Sequence, residues 1–165
     1  MDKNPSPNFD EIITPILNNH HFARLSQINH HGNSILDHSM KVCRLAWRIA
    51  GKLNLDQRTV ARGALLHDFF LYDWKEGSNS RRRFYELHKM HGFTHAREAL
   101  KNAEANFTLN PKEKDIILKH MFPLNIRPPR YAESWVVTLS DKIVALSELG
   151  LYFRYNLKFF SRDKE

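Results

Sequence analysis

The sequence predicts a single all-α bundle of about six helices. Three observations carry that expectation. Apolar residues recur at spacings of three and four along most of the chain, and period-two alternation is scarce. The 165 residues are 42% hydrophobic and 26% charged, enough for one domain with a real core. Ser34, Asp56 and Pro111 stand where periodic stretches begin, as helix-start residues do.

Taken in order, Phe9, Ile12, Ile13, Ile16 and Leu17 make a first short apolar face, disturbed by Pro15. Ser34 caps a helix running to about Leu53, with Ile35, Met40, Val42, Leu45, Ala46, Ile49 and Ala50 inward. Asp56 caps the next, with Val60, Ala61, Ala64 and Leu65 on one face. Residues 74–83, ending in three arginines, read as an exposed loop. A helix is expected over about 94–105, with Ala96, Ala99, Leu100 and Ala103 inward. Pro111 opens another that continues through Ile116, Ile117 and Leu118 to Met121. Pro123, Pro128 and Pro129 break the chain before a long helix over about 132–149. Gly150 is expected to separate that helix from an aromatic tail reaching Phe160. No repeat or composition shift divides the chain. Residues 1–165 are therefore expected to be one domain, with a core of about 32–149 and a helical aromatic extension over 150–165.

Composition narrows the function classes. Cys43 is the only cysteine, so an internal disulfide is excluded and a reducing compartment is the simpler expectation. No apolar run is long enough to span a bilayer, and the N-terminus lacks the pattern of a signal peptide, so the expectation is a cytoplasmic protein. The net charge of +7 favours anionic partners without choosing among them. A nucleic-acid binder is disfavoured, because no recognised binding motif and no regular basic stripe on one helix is present. Neither composition nor pattern sets an oligomeric state.

The chemistry concentrates in scattered imidazoles and carboxylates. His38, His67-Asp68, His95, His120 and Asp141 fall on five different predicted helices, most of them among apolar neighbours. A buried imidazole or carboxylate is costly unless something pairs with it. Helical bundles build metal sites from such inward side chains on facing helices. Four imidazoles and two carboxylates suit iron, manganese, zinc, nickel or cobalt better than magnesium or calcium, which prefer oxygen.

His38, then ALLHD (64–68), HAREAL (95–100), IILKH (116–120) and TLSDKIVAL (138–146) resemble the HD-domain superfamily of metal-dependent phosphohydrolases in order, residue type and helical context. The similarity covers roughly residues 32–149. It implies that His38, His67, Asp68 and Asp141 bind one metal. In members with two more histidines, matched here by His95 and His120, a second ion binds and Asp68 bridges. The pattern is close to that of the two-metal bacterial branch that includes symmetrical dinucleoside-tetraphosphate hydrolases. It departs after the doublet, where Phe69-Phe70-Leu71-Tyr72-Asp73-Trp74 replaces a small glycine-containing turn. His120 also stands alone, whereas the cyclic-dinucleotide phosphodiesterase branch has a doubled His and a Gly-Tyr-Pro motif.

The resemblance implies one or two divalent transition-metal ions and a hydrolase. Its substrate would be a nucleotide or related small phosphate compound, attacked by metal-bound water with His67 and Asp68 at the catalytic centre. The alternative is a non-catalytic HD module that binds a nucleotide or metal as a regulator. On the substrate side, Arg127 and Arg130 flank Pro128-Pro129 between two ligand-bearing helices, and guanidinium suits phosphate. Lys142 follows a candidate ligand, and His31 precedes His38 by about two turns, so both are candidate phosphate contacts. His91 is a candidate for phosphate, or for the second metal in place of His95. Arg62 is expected to pair with a carboxylate, and Arg81-Arg82-Arg83 to be a solvated run.

Overall fold

The computed structural model describes residues 8–27, 29–30, 33–70 and 84–162, with side chains over 8–26, 34–70 and 95–150. The expected loop over 74–83 lies outside the described residues, as does His31. Helix α1 is Phe9–Leu17, and it runs through Pro15. A one-turn α2, His20–Ala23, leads through a 3-10 turn, Arg24–Gln27, to a minimal antiparallel bridge of β1 (Asn29–His30) and β2 (Asn33–Ser34). Two residues per strand are too few to leave a period-two pattern, which is why the sequence did not announce them.

The main helices are α3 (Ile35–Lys52), α4 (Gln57–Leu66), α5 (Phe84–Asn106), α6 (Pro111–Lys119) and α7 (Ala132–Arg162). The starts of α3, α4, α6 and α7 are the expected ones. Ser34 and Asp37 form a reciprocal capping box on α3, Asn110 and Glu113 form one on α6, and Asp56 accepts from the Thr59 N–H at α4. Two boundaries differ. Helix α5 begins ten residues before the expected 94. Helix α7 continues through Gly150 to Arg162 instead of stopping there. One glycine costs a helix only about 1 kcal/mol, which helix-forming neighbours on both sides offset.

Helix α4 is the middle of the bundle, packed against α1, α3, α6 and α7. Val60, Ala61, Gly63, Ala64, Leu65 and Leu66 are all buried. Small residues let α6 come close. A methyl group on Gly63 would lie 2.6 Å from Ile116 Cδ1 and 3.1 Å from Ile116 Cβ, so the side chain cannot simply swing away. Overpacking typically costs about 1–3 kcal/mol, and the better helix propensity of alanine returns about 1 kcal/mol. Gly63→Ala is therefore expected to lower unfolding stability by about 1 kcal/mol in urea titration. A stabilised variant would mean that the α4–α6 contact is slack.

Polar bonds fix the same contact. Arg62 Nε donates to Glu113 Oε1 at 2.6 Å and its Nη2 to the Thr108 carbonyl at 3.0 Å. Asn110 Nδ2 donates to Thr59 Oγ1 at 2.8 Å. These bonds set the register between α4 and α6. That register matters because both helices end at the same place, at His67 and His120.

Candidate metal centre

His67 and His120 are the C-cap residues of α4 and α6. Each turns its ring back on its own helix: His67 Nδ1 lies 2.6 Å from the Ala64 carbonyl, and His120 Nδ1 2.7 Å from the Ile117 carbonyl. A carbonyl only accepts, so each Nδ1 carries the hydrogen. Each Nε2 then faces the space between the helices. Burial opposes a charged His67, but Asp68 and Asp141 outweigh it and raise its pKa, so a metal there would displace a proton. The two ring centroids are 4.9 Å apart. Both helix C-termini bring partial negative charge to this point, where a cation is favoured.

Around these rings the chain assembles the other candidates. His38, in the first turns of α3, places Nε2 3.0 Å from Asp141 Oδ1 on α7. His67 Nε2 lies 3.2 Å from Asp68 Oδ2 and 3.8 Å from Asp141 Oδ1. Asp68 Oδ1 is 3.4 Å from His120 Nε2 and 3.5 Å from His95 Nε2. His95 and His120 face each other, Nε2 to Nε2, at 3.1 Å. All six candidate ligands thus meet, drawn from five helices or their ends. Two subsets, His38–His67–Asp141 and His67–Asp68–His120, have ligating atoms all within 4.8 Å of one another. His91 lies on α5 one turn before His95, but its side chain is outside the described residues.

A positive ion fits this cluster on three grounds. His67 Nε2 and Asp68 Oδ1 are buried without a hydrogen-bond partner, an expensive state for polar atoms inside a bundle. The facing nitrogens of His95 and His120 need a proton or a cation between them. The electrostatics point the same way. Burial favours neutral Asp68 and Asp141, yet the surrounding histidines outweigh it and hold both carboxyls below the usual carboxylate range. Burial also opposes a charged His38, but Asp141, Asp68 and Glu148 outweigh it and raise its pKa to about 9. His120 goes the other way: burial dominates and lowers it, which keeps its lone pair available. Imidazole with carboxylate is the donor set of a divalent transition metal.

Sequence reasoning missed two supporting residues. Glu148 Oε2 lies 2.9 Å from His38 Nδ1, and its Oε1 accepts from Lys41 Nζ at 2.7 Å. The available signal was its spacing, seven residues after Asp141 and so on the same face of α7. Lys142 is at the site as expected, but braced: Nζ donates to the His120 carbonyl at 3.0 Å and to Asp141 Oδ2 at 3.1 Å. Arg127 and Arg130 are exposed in the α6–α7 connection. The Arg130 guanidinium lies over the Tyr131 ring, 5.7 Å from its centroid, and the Arg130 backbone N–H donates to Asp115 Oδ2 at 2.9 Å. Neither arginine is among the groups that meet at the cluster.

The Phe69-Phe70 segment builds the apolar wall of the site. Phe69 is fully buried, edge-on to Phe22 at 5.3 Å, and its carbonyl accepts from Asn102 Nδ2 at 2.9 Å. The Phe70 ring stands 5.4 Å from that of His95. The doublet is thus followed by an aromatic anchor rather than a flexible turn. Among the described residues, no helix is long and apolar enough to cross a membrane.

Comparison with curated proteins produced no match. The HD domain family matches residues 35–146, from the first residue of α3 to the middle of α7, which takes in every side chain of the cluster. The ordered set of His38, His67-Asp68, His95, His120 and Asp141 and this match agree: the chain belongs to the HD domain family, the superfamily of metal-dependent phosphohydrolases.

Proposed function

We propose that this chain hydrolyses a phosphate ester or anhydride bond of a nucleotide or related small phosphorylated compound. The observation that carries the reading is the pair of buried atoms without hydrogen-bond partners, His67 Nε2 and Asp68 Oδ1, at the centre of six converging ligands. His38, His67, Asp68 and Asp141 would hold one divalent transition-metal ion, and His95 and His120 a second, shared through Asp68. When bound, the ions would lower the pKa of water and neutralise charge on the phosphoryl group.

The protein's own groups have separable tasks. The carbonyls of Ala64 and Ile117 accept from Nδ1 of His67 and His120 and so hold each ring with Nε2 toward the cluster. Asp68 is held well below the usual carboxylate range, which makes it a weak base. Its Oδ1 therefore orients an incoming water by accepting a hydrogen rather than by removing a proton. Lys142 bonds a ligand of the cluster directly, and its Nζ can exchange Asp141 for a phosphoryl oxygen. Phe70 limits water on the His95 side. Arg127 and Arg130 enter this reading as outer cations that capture the anionic substrate before it reaches the cluster, with His31 and His91 as further phosphate contacts.

The test is elemental analysis of protein purified without chelators, beside a hydrolysis panel of nucleotides and small phosphate esters with iron, manganese, zinc, nickel or cobalt supplied. The expected result is bound transition metal and metal-dependent phosphate release. Metal binding without turnover across the panel would assign the chain to the regulatory alternative. Failure to bind any of these metals would overturn the site.

A further inference from the structure

Helix α7 is apolar on two opposite faces. Its inner face places Val136, Val137, Ser140 and Val144 in the core. On the other side Trp135, Leu139, Ile143, Leu146 and Leu149 are 39, 55, 54, 69 and 48% exposed. At about 100° per residue, these five fall within an arc of roughly 120°, and they run for about 21 Å along the axis. An ordinary surface helix has one apolar stripe and a polar back; a helix apolar on both sides is one buried on both sides. Lys142 also falls within the outer arc, but its ammonium is turned away to the His120 carbonyl and Asp141. The Phe122 ring packs edge-on against Trp135 at 5.4 Å and closes one end of the stripe.

We infer that this outer face of α7 is the interface of a homodimer, packed against the same face of a second copy. The five side chains expose on the order of 500 Å² per copy, so two copies would remove about 1,000 Å², the lower bound for a specific interface, and rim residues would add to it. A helix stripe is self-complementary across a twofold axis, where each residue meets the partner surface on both copies in the same way. The sequence also continues the spacing past the described side chains, at Phe153, Leu157 and Phe160.

The test is sedimentation equilibrium of the full chain over micromolar concentrations, with Leu139→Glu and Leu146→Glu as variants. Both positions are more than half exposed, so a glutamate there leaves the monomer core intact, which circular dichroism checks. Wild type is expected at twice the chain mass, and each variant at the monomer mass with unchanged helicity. Lys101→Glu, on an exposed part of α5, is expected to stay dimeric. A wild type that is monomeric to about 100 μM overturns the proposal, including one that instead binds lipid vesicles. So does a dimer that survives both glutamates, because it must use another face. A variant that loses helicity is replaced by Leu146→Ser, for which weakened association supports the interface and undiminished association rejects it.

Discussion

Asp68→Ala is expected to empty the cluster and abolish hydrolysis, more completely than either His95→Ala or His120→Ala. Asp68 is the one candidate ligand within 3.5 Å of three different imidazoles, those of His67, His95 and His120. Its two oxygens face the two halves of the cluster, Oδ2 toward His67 and Oδ1 toward His95 and His120. Removing it therefore weakens both halves at once, whereas each of those histidines serves one. The loss of metal affinity should exceed the 10–100-fold typical for removing a partner that only supports a ligand. The charge matters separately from the shape. Asp68→Asn keeps a polar side chain of the same size but withdraws the negative charge that opposes three imidazoles. It is expected to fall between wild type and alanine in metal retention, with turnover near that of alanine. The measurements are metal stoichiometry after purification without chelators, titration calorimetry of the apo-protein, and kcat/KM. Near wild-type metal content in Asp68→Ala would remove the shared role and leave Asp141 and the histidines as the whole site.

Much of this site was legible because its ligands sit at helix ends and on helix faces that the sequence marks clearly. His67 and His120 close helices whose starts are set by Asp56 and Pro111, and regular helices from those starts bring both rings to the same end of the bundle. Asp141 stood out because a carboxylate amid Val136, Val137 and Val144 demands a partner. Arg62 was expected to pair with a carboxylate, and it does so with Glu113. What stayed hidden depends on tertiary placement. Glu148 is an ordinary acidic residue in sequence, and only the packing of α7 on α3 brings it to His38. Gly150 looked like a helix end because glycine is a common one, but its cost is small against a helix with strong formers on either side. Arg130 was placed by its loop rather than by contacts, and in the structure its side chain rests on Tyr131. The outer stripe of α7 was legible as apolar, yet sequence alone does not separate a second buried face from a first.

Glu148→Ala is the second large effect expected, and it acts through His38 rather than on any substrate. The Nδ1 of His38 meets Glu148 at 2.9 Å while its Nε2 points into the cluster, and Lys41 holds the other Glu148 oxygen at 2.7 Å. A carboxylate behind a ligating imidazole fixes the ring and raises its basicity; its loss typically costs 10–100-fold in metal affinity. Lys41→Ala should do much less, because the Lys41 side chain is 48% exposed and an ion pair there is screened by solvent. The metal-free protein offers an independent readout. The His38 pKa rises from 6.5 to about 9 on folding, so its ion pairs stabilise fully below about pH 6.5 and are lost as pH climbs through 9. Burial works against an ionised Glu148, but Lys41 and His38 outweigh it and lower its pKa. It therefore stays charged through that window. Metal-free Glu148→Ala should accordingly melt below the wild type near pH 6, with the gap closing above pH 9. A gap that is the same at both pH values would mean that Glu148 packs the α3–α7 contact without orienting His38, and unchanged metal affinity would say the same from the loaded side.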